Sequence, residues 1–269
     1  VLAAILWSLA GVFIKFLSLA PLSLVFYRSL FASLFFACFV RKGGTERRSV
    51  LLIAMISYTA AISSFVSANR LTTAANAIIL QYTAPFFVFV LVVFLLREKI
   101  AARDWLALSL GMTGIGAIFA GSAGQPDAIG VSLALLSGLL FSIYMLSVRF
   151  LTQVNPGTLT FLNNVACCAF LLPFVFDQLS VARAEVALLA VMGIVQLGIP
   201  YWLFSKALEK VSIHEASLIV LIEPVLNPIW VAVAVGEVPA PVTLIGGGLI
   251  VSGLALRYGW ALVAGKVNG

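Results

Sequence analysis

Glu223, Asn227 and Trp230 stand at i, i+4 and i+7 in the run Ser217–Glu237, SLIVLIEPVLNPIWVAVAVGE. That spacing puts an acid, an amide and an indole on one helical face. The run is apolar and reaches the roughly 20 residues that cross a bilayer. A carboxylate at its mid-depth costs roughly 2.5–3.5 kcal/mol on insertion scales, so such an acid is a functional candidate by default. It could bind a substrate ammonium or carry a proton. Alternatively it could cap backbone groups that Pro224 and Pro228 release from the helix ladder. Both readings stay open, and the Glu223 face is the candidate wall of a cavity.

A second run, Ile78–Glu98, has the same layout around Pro85. Here Asn76, Gln81, Tyr82 and Thr83 are polar or amphipathic, and Ala84 stands where the other run has Glu223. Gln81 and Tyr82 lie about 100° apart on a helix, so they cannot both face a cavity squarely. Gln196, Pro200, Tyr201 and Trp202 interrupt another apolar run, and Trp7, Ser8 and Tyr144 add further candidates. Rings with a few amides and one acid suit an amphiphilic, zwitterionic or cationic solute. Each polar group could instead make a helix–helix hydrogen bond, and each ring could simply pack. Pro85, Pro200, Pro224 and Pro228 are candidate hinge points, because each breaks a helical hydrogen bond.

No catalytic set accompanies them: there is no nucleophile elbow, no H-E-x-x-H pair and no phosphate-binding loop, and His214 is the single histidine. Cys38, Cys167 and Cys168 lie in apolar runs without metal-ligand spacing, so no disulfide framework, metal or cofactor is expected. His214 and Glu215, beside Lys210, open the ninth apolar run; they read as a pH-sensing gate or, more plainly, as an acid favoured by a helix N-terminus. Arg28, inside the second run, is expected to snorkel or pair.

These residues need a membrane to make sense. Of 269 residues, 62% are hydrophobic and 10% charged, with mean hydropathy +1.15. A soluble chain carries about a quarter charged residues. The net charge of +6 comes from cations at the ends of apolar runs, not from a basic face, so nucleic acid is not an expected partner. The runs are apolar all round, unlike the faces of a soluble bundle, and lack the alternation of a β-barrel. An all-α integral membrane protein of ten transmembrane helices is expected, near 2–19, 23–40, 49–69, 73–96, 102–121, 128–149, 157–176, 185–205, 213–235 and 241–260. Residues 1–19 read as a spanning helix rather than a signal peptide, and the start at Val1 implies that the native N-terminus is missing. Cations in RKGGTERR (41–48) and REKIAARD (97–104), with Arg149, Lys206, Lys210, Arg257 and Lys266, put both termini in the cytoplasm.

The chain repeats itself. Pro85 and Pro224 lie 139 residues apart, as do Glu98 and Glu237; LWSLAGVFIKFL (6–17) aligns with LFSIYMLSVRFL (140–151) at an offset of 134. Residues 1–121 and 128–262 form the two copies, joined by a linker at 122–127 and followed by a tail at 263–269. Five helices per copy is odd, so the second copy enters the membrane inverted, giving two inverted-topology five-helix repeats. Such symmetry lets one fold face either side of the membrane, which points to transport. Glycines 111, 114, 116, 246–248 and 253 allow close helix packing or dimer contact.

The opening LWSLAGVFIK, the loop NRLTTAANAIIL (69–80), and the segments TAPFFVFVLVVFLLRE and IEPVLNPIWVAVAVGE carry a resemblance. In this order and in duplicate they resemble the drug/metabolite transporter superfamily, with two EamA domains, and within it YddG-type amino-acid exporters. The resemblance implies a secondary transporter of the bacterial inner membrane that exports small metabolites, most readily amino acids, aromatic or broad in range. A multidrug or lipophilic-cation exporter of the same fold is the alternative. A small-molecule substrate and the lipid bilayer are the partners it implies.

Overall fold

The computed structural model describes residues 1–41, 47–96, 102–122, 127–179, 181–207 and 219–267. Within them every regular element is helical. Among the described residues six helices are long and apolar enough to cross a membrane: Pro21–Phe39, Arg48–Leu71, Ala128–Arg149, Pro156–Gln178, Glu185–Phe204 and Pro241–Gly259. Shorter apolar helices cover Leu2–Phe16, Ala74–Val88, Trp105–Gly121 and Ile222–Val235. Most of the loops expected at 41–48, 97–104 and 122–127 lie outside the described residues, as do Glu98, Lys210, His214 and Glu215.

The elements are α1 (Leu2–Ser8), α2 (Ala10–Phe16), α3 (Pro21–Phe36), α4 (Arg48–Leu71), α5 (Ala74–Gln81), α6 (Ala84–Leu96) and α7 (Ala102–Ser122). They continue with α8 (Ala128–Arg149), α9 (Pro156–Val175), α10 (Arg183–Val191), α11 (Ile199–Ala207), α12 (Ile222–Val235) and α13 (Pro241–Val267). Helices dominate because lipid cannot hydrogen-bond a backbone, so each segment satisfies its own. Large apolar side chains face outward, Phe174 at 71% and Val233 at 80% exposure, a surface suited to lipid rather than water. The chain is an integral membrane protein. The last helix runs to Val267.

Three breaks interrupt the spans, and each has a local cause. Pro85 has no N–H for the carbonyl of Gln81, and the helix divides there into α5 and α6. Pro200 likewise abandons Gln196, and the preceding turn, Met192–Gly198, widens into a π-helix. No proline explains the break at Leu9 between α1 and α2. There the Ser8 hydroxyl bends back to the Ile5 carbonyl (2.7 Å), and the Ser8 carbonyl accepts from Asn227 Nδ2 of α12 (2.9 Å).

The early and late helices interleave. α3 packs on α9 and the π segment, α4 on α8 and α9, α5 and α6 on α8, α1 and α2 on α12, α5 on α12 and α7 on α13. Their buried centre holds Ile14, Leu24, Ile78, Phe86, Met192 and Leu254.

The contact between α7 and α13 depends on glycine. A Cβ at Gly114 would overlap the Gly246 carbonyl, and one at Gly246 would stand 2.7 Å from the Gly114 oxygen. Gly114→Val is therefore expected to destabilise the detergent-purified protein by about 1–3 kcal/mol through overpacking. Gly116 and Gly248 have nothing within 4 Å of such a Cβ. Changing either to alanine should leave the melting temperature unchanged or raise it, by up to about 1 kcal/mol in stability. Thermal unfolding followed by tryptophan fluorescence separates the two outcomes, and a stable Gly114→Val variant would show that the helices are not held at backbone distance.

Candidate functional site

The breaks surround a cavity of about 330 Å³. Trp7 and Ala10 reach it from α1 and α2, Arg28 from α3, Phe65 from α4, Gln81, Tyr82, Ala84 and Pro85 from the α5–α6 break, and Gln196, Tyr201 and Glu223 from the second half of the chain. A site built on helix breaks gains backbone polar groups that a continuous helix would have used up.

Glu223 shows how the two halves meet. Pro224 lacks an N–H, so the Val220 carbonyl loses its helical donor. The Tyr82 hydroxyl lies 3.1 Å from that carbonyl and 2.7 Å from Glu223 Oε2. When Glu223 is ionised, the phenol donates to the carboxylate. When Glu223 holds a proton, the acid can donate to the phenol oxygen while the phenol donates to Val220. Tyr82 thus accommodates both states of the acid, and it also supplies the capping partner that Pro224 demands.

The neighbouring amides are partly committed. Gln81 Nε2 donates to Ser137 Oγ (3.1 Å), which donates to the Ala61 carbonyl (2.9 Å). Gln196 Nε2 donates to the Trp7 carbonyl (3.2 Å), while Gln196 Oε1 has no hydrogen-bond partner. The Trp7 ring stands edge-on to Tyr201, centroids 5.0 Å apart, and tilted against Phe204 at 5.4 Å. Its indole N–H is buried without a partner.

Of the residues singled out in the sequence, Trp7, Gln81, Tyr82, Gln196, Tyr201, Glu223 and Pro85 line this cavity. The others serve elsewhere. Asn227 and Trp230 do not continue the Glu223 wall: Asn227 holds the Ser8 carbonyl and Trp230 Nε1 donates to Ser8 Oγ at 2.9 Å, so all three clamp the α1–α2 break. The physical reason is distance along the axis, since one and two turns beyond Glu223 the same face of α12 meets α1 and α2 instead of open space. Tyr144 packs against Tyr58 at 5.3 Å and accepts from Asn163 Nδ2 (3.0 Å). Trp202 faces outward at 37% exposure beneath the Lys206 ammonium. Pro200, Pro224 and Pro228 shape their helices without lining the cavity.

Asn76 belongs to a polar plug at the other end of α5. It donates to Thr72 Oγ1 (2.9 Å) and accepts from Thr243 Oγ1 of α13 (2.6 Å). Beside it Lys15 Nζ meets Glu237 Oε2 at 2.6 Å and donates to the Thr72 carbonyl (3.1 Å). Glu237 Oε1 accepts from the Ala74 N–H (2.6 Å), a carboxylate at the N-terminus of α5 where the helix dipole favours it. Thr72 Oγ1 donates to Asp127 Oδ2 (2.9 Å) at the start of α8. Arg70 donates to the carbonyls of Leu17 and Leu19. This plug ties both halves together at the end opposite Arg149 and Lys206.

Arg28 departs most from expectation. It does not snorkel, and among the described residues it forms no ion pair: it is 2% exposed, lines the cavity, and has two guanidinium nitrogens without partners. The sequence did hold a signal, a cation seven residues into an apolar helix, but nothing local fixes what surrounds it. Among the described residues no cluster of three His, Cys, Asp or Glu side chains could hold a metal.

Comparison with known proteins agrees along the whole chain. The profile of the EamA-like transporter family matches residues 1–120 and 128–259. A curated relative from Archaeoglobus fulgidus, named an uncharacterized transporter, is 30% identical over 261 residues, covering 96% of this chain and 94% of its own length. A second, from Bacillus subtilis, named uncharacterized transporter YxxF, is 28% identical and covers 95% of this chain and 87% of its own. A solved crystal structure superposes with a TM-score of 0.68 at 18% identity over 94% of both chains, which shows a shared fold.

Proposed function

The chain belongs to the EamA-like transporter family, and from that premise we propose that it exports small amphiphilic metabolites, amino acids foremost, by alternating access. The observation that carries this reading is the cavity itself. It lies between the two halves, takes Glu223 from one and its partner Tyr82 from the other, and has seven aromatic rings among its lining residues. Its 330 Å³ is at the small end of the roughly 300–1,000 Å³ typical of small-molecule sites, a size for one metabolite.

Inverted five-helix repeats supply the two states. They are supported by packing partners that exchange under the repeat: α4 on α8 answers α11 and the π segment on α1, and α5–α6 on α8 answers α12 on α1–α2. Local bonds repeat too, Ser8 to the Ile5 carbonyl and Ser142 to the Leu139 carbonyl, both at the offset of 134. The Lys15–Glu237 plug closes the cavity at one end, and the breaks at Leu9, Tyr82–Thr83 and Met192–Gly198 are where the helices bend as the halves rock. The cation bias supports an orientation with that plug on the outer side of a bacterial cytoplasmic membrane and both termini inside. A lipophilic-cation exporter is the second reading, favoured by Glu223 among aromatic rings.

Vesicles reconstituted with the purified chain and loaded with the twenty amino acids and tetraphenylphosphonium test the proposal. Release of one or a few amino acids faster than from protein-free vesicles is the expected result. Release of the phosphonium alone would establish the second reading, and release of neither would sink both.

A further inference from the structure

Buried polar atoms in folded proteins are hydrogen-bonded in the large majority, so orphaned ones around a cavity indicate what it is built to hold. Arg28 lines the cavity from α3, and its Nε and Nη2 have no partner. Among the described residues the carboxylates nearest in role are committed elsewhere: Glu237 to Lys15, Asp127 to Thr72 and Glu185 to Ser18. An arginine cannot shed its charge as a lysine can, so a desolvated guanidinium favours an anion, and Nε and Nη2 hold none among the described residues. Nε and Nη2 form the side-on edge of the group, whose two parallel N–H bonds match one carboxylate in a bidentate fit. Trp7, which also lines the cavity, has a further orphaned buried donor, its indole N–H.

The opposite charge lines the same space. Glu223 reaches it from α12, and Tyr201 lines it as well. A solute that fills the cavity therefore has a cation and an acid among its walls. The orphaned Gln196 Oε1 offers a further acceptor for an ammonium.

We infer that Arg28 binds the carboxylate, and Glu223 the ammonium, of one zwitterionic solute, so that the cavity selects α-amino acids over lipophilic cations. The inference rests on the reading that this cavity is the transport site. It goes further by assigning the two charged ends of the substrate to residues, and by predicting which chemical change to the substrate each residue detects. Rings around the two charges leave an apolar pocket for the side chain, which favours large apolar or aromatic amino acids.

The test compares binding of L-phenylalanine, L-phenylalaninamide, N-acetyl-L-phenylalanine and tetraphenylphosphonium to the detergent-purified full chain, by calorimetry. Wild type should bind L-phenylalanine about tenfold more tightly than its amide and its N-acetyl derivative, as loss of one charge-assisted contact implies. Arg28→Gln should weaken L-phenylalanine about tenfold, leave the amide unchanged, and so erase the acid-to-amide preference, while Arg28→Lys restores part of it. A merely structural Arg28 would weaken all ligands alike, and that result overturns the inference. So does a wild-type protein that binds acid and amide equally, a measurement that decides the matter even if the Arg28 variants fail to fold. Binding of tetraphenylphosphonium with no discrimination by the carboxylate would leave transport standing and remove this assignment; binding of none of the four would remove both.

Discussion

Glu223→Gln is expected to slow amino-acid efflux from reconstituted vesicles 10- to 100-fold while leaving the protein folded. Hydrogen bonds to charged groups are worth about 1.5–3 kcal/mol, and each 1.4 kcal/mol is about tenfold in rate or affinity. Folding should survive because glutamine keeps the volume and can still accept from Tyr82. If Glu223 also carries a coupling proton, wild-type efflux should vary with pH and the glutamine variant should not. The titratable and charged groups facing it are Tyr82, Tyr201 and, across the cavity, Arg28. Tyr82→Phe separates the acid's chemistry from its scaffold. That variant keeps the carboxyl but strands the Val220 carbonyl, so its main effect should be on stability, about 1–3 kcal/mol. Unchanged efflux and an unchanged pH profile in Glu223→Gln would remove the acid from binding and coupling alike.

Reversing one charge of the plug, Lys15→Glu, is expected to nearly abolish transport, and adding Glu237→Lys to restore much of it. The reversal sets two carboxylates where an ion pair stands at 2.6 Å, beside an Ala74 N–H that only one of them can use. Breaking a fully buried pair costs about 3–5 kcal/mol. This pair is 15% and 22% exposed, so a smaller value applies. Even about 1.4 kcal/mol shifts the balance between sealed and open states tenfold. A thiol at Ala10, which lines the cavity, reports the shift once Cys38, Cys167 and Cys168 are replaced by serine. Labelling by a membrane-impermeant reagent from the Glu237 side should rise about tenfold in Lys15→Ala. Labelling that does not move would mean that the plug staples the fold without gating the cavity.

Much of this was legible in the residues. Apolar runs of about 20 residues with cations at their ends leave helices in lipid as the only arrangement that satisfies the backbone, and the prolines mark where those helices break. The spacing of Glu98 and Glu237, and of Pro85 and Pro224, makes the halves copies before any contact is known. Glu223 could be picked out because a carboxylate amid Leu, Ile and Pro is costly wherever the chain goes.

What periodicity cannot supply is the partner. The spacing of Glu223, Asn227 and Trp230 fixes a common direction around α12, but only the fold decides that the first meets a cavity and the other two meet Ser8, more than 200 residues earlier. The break at Leu9 has no proline to announce it, because its partner Asn227 comes from the other half. Arg28 shows the same limit from the opposite side. The sequence determined that a cation sits inside the membrane; that it lies buried on a cavity, with its side-on edge unanswered and an acid in the same space, was decided by the packing of α3, α4, α9 and the π segment around it. Local chemistry sets the cost of burying each group, and long-range packing alone sets which group, or which solute, answers it.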